Sequence, residues 1–343
     1  MIDINEEILQ DIINIKTGLF SPLDGFMDSK DYRSVVDSMC LSDGSVWTIP
    51  ITLDTHSMID EDVVELVLGG KVVAKVEVED IYKVKDEDIV KIFGTDDANH
   101  PGVKKELNRG KYRVGGKVTL LDNTLLEDAL NPKKTKEFFK KQGWSSIAGF
   151  QTRNVPHRAH EYLHRLALEF CDALFINPLV GWKKQGDFSE EAVEDGYKAL
   201  IDTYYSGLNV HFNTLKTPMR YAGPKEAVFH AIIRKNLGCT HFIIGRDHAG
   251  VGEYYGKYEA QELATKLQKD LGITILKFQE PFWCNVCEQI VSENCCCHTD
   301  TQKISGTKIR KMLSDAKVPQ KELMRKEVAQ AIISLKDDMF IKG

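Results

Sequence analysis

No run of about 18 uninterrupted apolar residues, the minimum for a membrane-spanning helix, occurs anywhere in the 343-residue chain, so no span is expected. A basic and then apolar leader is missing too. The opening MIDINEEILQ is acidic, which argues against a secretory signal and for a cytoplasmic protein. Excess positive charge is absent: the net charge is −6, and aromatic residues are not interleaved with basic ones. A broad nucleic-acid footprint is therefore not expected. The phosphate-loop pattern GxxxxGK[ST] does not occur, nor does an internal repeat or a low-complexity linker. What remains is ordinary globular material. With 42% hydrophobic and 28% charged residues the chain can bury a real core, and its length suits two or three domains.

Cysteine is unevenly spread. Five of the eight cysteines fall between Cys284 and Cys297, whereas Cys40, Cys171 and Cys239 stand alone. A disulfide framework would spread its cysteines and come with a secretory signal, so the cluster reads as a local site in a reducing compartment. The three isolated thiols read as small buried hydrophobes.

Residues 1–125 read as mainly β, with few helical periods. Residues 63–79 alternate on both sides of Gly69-Gly70, a hairpin signal, and residues 46–53 and 117–121 are strand-like. The character changes at Asn131-Pro132, a helix start whose stop is Gly143. Strands are then expected at 147–150, 174–177, 208–213, 240–244 and 273–278, with helices at 157–170, 189–205, 224–236 and 254–269. A last helix is expected around 321–335. Such alternation implies a parallel sheet with helices on both faces. Ligands in such sheets sit where strand C-termini open into loops.

Two loops hold that position. Residues 151–157 leave one strand and enter a helix, whose N-terminus favours anions through its free N–H groups. Arg153, Arg158 and Arg165 stand against one acid, Glu161, in an otherwise acidic chain. His157, His160 and His164 share one helical face and could stabilise an anion, bind metal or simply pack; with the arginines beside them, anion stabilisation is favoured. The second loop is Gly245-Arg246-Asp247-His248-Ala249-Gly250, whose two glycines would let the backbone approach a ligand.

GFQTRNVPHRAHEYL (149–163), MRYAGPKEA (219–227), IGRDHAGVG (244–252) and ISGTKIR (304–310) are similar to the motifs of the ATP sulfurylase (sulfate adenylyltransferase) family. GLFSPLDGFM (18–27) and FINPLVG (175–181) extend the resemblance over nearly the whole chain. One departure is that Val155 separates Asn154 from Pro156, where the common form has Pro directly after Asn; the spacing from Asn154 to His157 is unchanged.

The resemblance implies an α/β protein in three parts. Residues 1–125 would form a β-rich PUA-like domain, 126–281 a Rossmann-like nucleotidyltransferase domain, and 282–343 a small zinc-bearing C-terminal domain. It implies the reaction ATP + sulfate to adenosine 5′-phosphosulfate + diphosphate, by in-line attack of sulfate on the α-phosphorus, with Mg²⁺ accompanying ATP. No fused kinase is expected. Gln151, Arg153 and the Ala249 backbone would hold sulfate. Gln151, Thr152, Asn154, Gly245, Arg246, Asp247, His248 and, by position, Phe282 would bind nucleotide. Thr152, Arg153, Asn154, His157 and His160 would carry the catalysis. A homodimer is the default assembly. Two rival readings are another adenylyltransferase and an RNA-binding protein.

For the cysteine cluster, Cys284-x2-Cys287 followed by Cys295-Cys296-Cys297-His298 has the spacing of a structural zinc site. A similar C-x2-C-x8-C-x-His element in some ATP sulfurylases points to Cys284, Cys287, Cys296 and His298. The third ligand is open by one residue within the triple cysteine.

Overall fold

A computed structural model describes residues 1–342, which divide into two compact units. The first comprises residues 1–142, 217–238 and 247–275; the second comprises 143–216, 239–246 and 276–343.

In the first unit the Gly69-Gly70 turn joins strands Val63–Leu68 and Lys71–Lys83, as the alternation implies. Its sheet runs in the order Ile2–Asp3, Val63–Leu68, Lys71–Lys83, Tyr112–Leu120, Gly25–Phe26, and Leu53–Thr55 also pairs with Tyr112–Leu120. Helix content is higher than the sequence reading allowed. Glu6–Lys16, Ser29–Ser38, Glu87–Phe93 and Pro101–Leu107 are all helical. Three of them start at side-chain caps, Asn5, Asp28 and His100, which short helices use in place of long apolar periods. Residues 46–52, read as a strand, are extended without ladder pairing, apart from the Cys40–Val46 bridge. Helix Gly223–Asn236 belongs to this unit: Phe229 meets Phe20 and Trp47 edge-on, and Asn236 Nδ2 donates to the carbonyls of Leu19 and Ser21.

The second unit is built on a five-stranded sheet in the order Thr274–Lys277, His241–Ile244, Ile147–Phe150, Ala173–Ile176, Val210–Phe212. The pairings from His241–Ile244 to Val210–Phe212 are parallel. Ile147–Phe150 and Ala173–Ile176 are buried on both faces, which is why they read as short uninterrupted apolar runs. The order reverses between Ile147–Phe150 and His241–Ile244, making a topological switch point there.

Helices Arg158–Leu168 and Glu190–Tyr204 follow the expected pattern. Helix Glu259–Leu271, in the first unit, starts five residues later than 254, because residues 251–258 form turns. The last long helix is Lys326–Ser334, and Gly306–Ser314 adds a helix capped by Ser305. Ile309, Leu313, Val328 and Ile332 of these C-terminal helices share one core with Phe150, Val155, Leu163 and Tyr197. No helix of the described residues is long and apolar enough to cross a membrane.

Candidate active site

The two motif-bearing loops leave the switch point together. Phe242 is in register with Gly149, so Gln151 and Gly245 follow neighbouring strands at the same end of the sheet. Gln151 and Thr152 are buried, and the Thr152 carbonyl accepts from Leu179 N–H at 2.8 Å. Thr152 Oγ1 accepts from Asn154 N–H at 3.1 Å and tightens the turn. Val155, which stands where the common form has proline, is 1% exposed and points into the core, and Pro156 packs over Gly196, where a Cβ would come within 2.9 Å of the proline ring. The departure from the common motif is thus absorbed by burial.

His157 is the N-cap of helix Arg158–Leu168; its Nδ1 accepts from His160 N–H at 3.4 Å. The two rings stack at 3.7 Å, and His160 Nδ1 lies 3.2 Å from the Tyr197 hydroxyl. His164 is fully buried, 2.7 Å from the Tyr205 hydroxyl, and edge-on to Phe150. The third histidine therefore takes the packing role.

Burial pushes His157 down to about 4 and His164 down to about 3, and lowers His160 well below the usual histidine value. All three are neutral at pH 7. Neutral rings of this kind can meet an anion through N–H donation.

The arginines divide as well. Arg158 lies 3.2 Å from Glu161 Oε2, and Arg165 donates to the Tyr204 carbonyl and stacks over Tyr205. Glu161 also takes a two-atom contact from Arg325. Arg158 and Arg165 are thus engaged by the protein itself. Arg153 faces a different partner: its Nε lies 3.7 Å from Oδ2 of Asp187, which is 2% exposed. Arg310 approaches the same carboxylate at 3.6 Å, donates to Asn154 Oδ1 at 3.4 Å and lies over the Phe188 ring.

Sequence reasoning missed Asp187 and gave Arg310 no role beyond the family motif. An acid inside the polar stretch KKQGD gives no periodic signal. Buried Lys183, pushed down to about 8 by that burial, donates to the Phe188 carbonyl at 2.6 Å and pins the segment.

In the second loop Gly245 and Arg246 belong to the second unit. Arg246 Nε is 3.6 Å from Glu280, and Phe278 N–H donates to the Ile244 carbonyl, so residues 278–280 run beside this turn and lead to Phe282. Residues 247–250 belong to the first unit. There Asp247 and Ala249 take left-handed φ values of 49° and 58° without being glycine. At Gly250 a Cβ would fall 1.8 Å from Asp247 Oδ1, so any larger residue there would have to displace the Asp247 carboxylate. A Cβ on Gly245 would meet only Leu163, at 3.7 Å.

Phe282–Cys284 is the central strand of an antiparallel three-stranded sheet with Gln289–Val291 and Thr301–Lys303. At its end the ligand atoms of Cys284, Cys287, Cys296 and His298 all lie within 4.8 Å of one another. Five of the six separations run from 3.3 Å (Cys287 Sγ to His298 Nδ1) to 3.8 Å (Cys287 to Cys296). A tetrahedron with sulfur bonds of ~2.3 Å has edges of about 3.8 Å, so the set fits a metal ion. Cys296 is the cysteine of the triplet that joins it. Cys295 turns toward Ser292 and Tyr162 instead, and Cys297 is exposed.

The chain matches the ATP-sulfurylase family over residues 127–335 and a PUA-like domain over residues 1–123. It is 46% identical to the sulfate adenylyltransferase of Ignicoccus hospitalis over 98% of this chain and 91% of that protein. It is 47% identical to that of Hyperthermus butylicus over 97% of this chain and 88% of the other. Among solved structures, the hexameric APS kinase of Thiobacillus denitrificans shares the fold with a TM-score of 0.73 at 19% identity, covering 96% of this chain; the chain spans 62% of that longer one. With this breadth of match, and a Cys/His cluster able to hold a metal ion, the chain belongs to the sulfate adenylyltransferase family.

Proposed function

We propose that the loops at the switch point carry the reaction of this sulfate adenylyltransferase, which converts ATP and sulfate to adenosine 5′-phosphosulfate and diphosphate. The single observation that supports this reading best is the parallel pairing of the strands that precede Gln151 and Gly245. Sulfate is a dianion at neutral pH, so it needs no general base. Repulsion between sulfate and the polyphosphate is the obstacle, and the protein must supply cations and N–H donors in fixed positions.

Arg153, with Gln151 and the Ala249 backbone, would hold sulfate, and its planar fork suits a tetrahedral oxyanion. Thr152 and Asn154 would place the α-phosphate for in-line attack. His157 and His160, neutral and stacked, would donate N–H to the departing diphosphate. Gly245, Arg246, Asp247, His248 and Phe282 would hold the nucleoside. Mg²⁺ would arrive on ATP and neutralise phosphate oxygens. Zn²⁺ on Cys284, Cys287, Cys296 and His298 would cross-link the small sheet. We further propose that residues 1–125, 126–281 and 282–343 are the three functional parts of the chain, that the assembly is a homodimer, and that the enzyme works in the cytoplasm.

The test is molybdate-stimulated diphosphate release from ATP, since molybdate replaces sulfate and its adenylyl product decomposes. Arg153→Ala should abolish this activity and sulfate-dependent ATP–diphosphate exchange while ATP binding persists. Near-normal exchange in that variant would remove Arg153 from the site.

A further inference from the structure

Helix Arg158–Leu168 has a second face that the reaction above does not use. His160 and His164 lie along one side, whereas Arg158, Glu161, Tyr162 and Arg165 lie about a third of a turn away around the axis. This second face forms one wall of an open cavity of about 420 Å³, within the size range of small-molecule sites. Trp283, on the central strand of the small antiparallel sheet, supplies another wall, and Lys321 and Arg325 supply a third. The cavity lies wholly within the second unit. Arg153, Asp187 and Arg310 do not line it, so it is separate from the loop that follows Phe150.

Its charge is one-sided. Four cations, Arg158, Arg165, Lys321 and Arg325, stand against two acids, Glu161 and Glu288, in a chain whose net charge is −6. Glu161 is shared: Arg325 reaches it through two nitrogens, at 3.0 and 2.9 Å, and Arg158 at 3.2 Å. One carboxylate thus serves two guanidinium groups, and the buried Nε of Arg158 has no hydrogen-bond partner. Arg165 is held by the Tyr204 carbonyl and the Tyr205 ring but by no carboxylate. Lys321 is exposed and makes no ion pair among the described residues. An aromatic surface accompanies these cations. Trp283 is half-buried, yet among the described residues its indole makes neither a ring contact nor a hydrogen bond. A tryptophan so placed ordinarily finds a partner for its N–H. Cations that outnumber their acids, beside an uncovered indole, match a ligand that brings both an oxyanion and a planar ring.

We propose that this cavity is a second, non-catalytic site for a nucleotide, with phosphate groups drawn to Arg165 and Lys321 and the base against Trp283. Arg158 and Arg325 stay on Glu161 and add their positive field. A free inorganic oxyanion would leave Trp283 uncovered, and a nucleoside would leave the charge unmet. The proposal does not depend on the roles given to the loops at the switch point.

The probe is inosine diphosphate, whose base is not the adenine of ATP, titrated calorimetrically into the full chain. Stacking on an aromatic side chain tolerates any base, so the wild type should bind it. Trp283→Ala should weaken binding by about ten- to a hundredfold. Lys321→Glu changes only an exposed side chain, and it should weaken binding and flatten its dependence on salt. Inorganic diphosphate should bind the wild type more weakly than inosine diphosphate and be indifferent to Trp283→Ala. Molybdate-stimulated diphosphate release at saturating ATP should persist in Lys321→Glu. Equal affinity for inosine diphosphate in the wild type and Lys321→Glu would overturn the proposal. So would inorganic diphosphate binding as tightly as inosine diphosphate, or loss of the molybdate activity in Lys321→Glu. Should the wild type itself release no diphosphate with molybdate, the reading of the switch-point loops fails, and the titrations still decide the cavity.

Discussion

His157 caps the helix through Nδ1, and in the proposed reaction it would act through its other ring nitrogen, so the two roles separate by substitution. As the N-cap it accepts from His160 N–H, a role that Asn fills equally well and Ala does not. As a donor to departing diphosphate it needs an imidazole N–H, which neither replacement supplies at the same place. His157→Asn should therefore keep stability close to the wild type while turnover falls by about 10²–10³. His157→Ala should lose similar turnover and also about 1 kcal/mol of stability. Steady-state rates and urea midpoints measured on both variants check this. A loss of only a few-fold in turnover would return His157 to a purely structural role. The sequence offered three readings for the histidine face, and the structure divides them. His164 faces Phe150 and Tyr205 inside the core, whereas His157 and His160 stack at the helix start. Spacing alone could not separate them, because residues on one helical face can differ in depth.

At the scale of elements, the strand-end loops were legible because doubly wound sheets tie function to topology, and apolar runs such as 147–150 mark buried parallel strands. The short helices of the first unit were not legible. Pro101–Leu107, for example, is only seven residues long and depends on the His100 cap and on burial, not on a long apolar stripe. At 282–303 only the cysteine cluster was legible, and the small sheet that carries it was not. Its strands are three residues each, too short to persist without cross-linking. Removing metal with a chelator under reducing conditions should thus expose this segment to amide exchange and proteolysis while Ile147–Phe150 and Ala173–Ile176 stay protected. Metal analysis should give one zinc per chain in the wild type and in Cys295→Ser and Cys297→Ser, and a sharp loss in Cys287→Ser. Full metal content in Cys287→Ser would remove that residue from the ligand set.

For the molecule as a whole, the two units cannot be cut apart as fragments. The chain passes from one to the other after residues 142, 216, 238, 246 and 275, so neither is a continuous stretch of sequence. A local titration should therefore appear as a global change in stability, and the buried histidines provide one. His157 is pushed down to about 4 and His164 to about 3, below the unfolded value of about 6.5. Between those values the unfolded chain binds more protons than the folded one, so stability rises with pH and is fully present only above about 6.5. Each histidine contributes up to about 1.4 kcal/mol per pH unit inside its window. Asp172 does not confuse the measurement at pH 5. Hydrogen bonds from Ser145 and Ser146 hold it far below the ordinary carboxylate range, so its own contribution disappears only in stronger acid. The urea midpoint of the wild type should therefore fall between pH 7.5 and pH 5, in a single transition followed by fluorescence and circular dichroism alike. His164→Gln keeps a hydrogen-bonding group for Tyr205 but cannot titrate. It should be less stable at pH 7.5, yet lose distinctly less between the two pH values. An equal loss in both proteins would show that the acid sensitivity arises elsewhere than in the His164 imidazole.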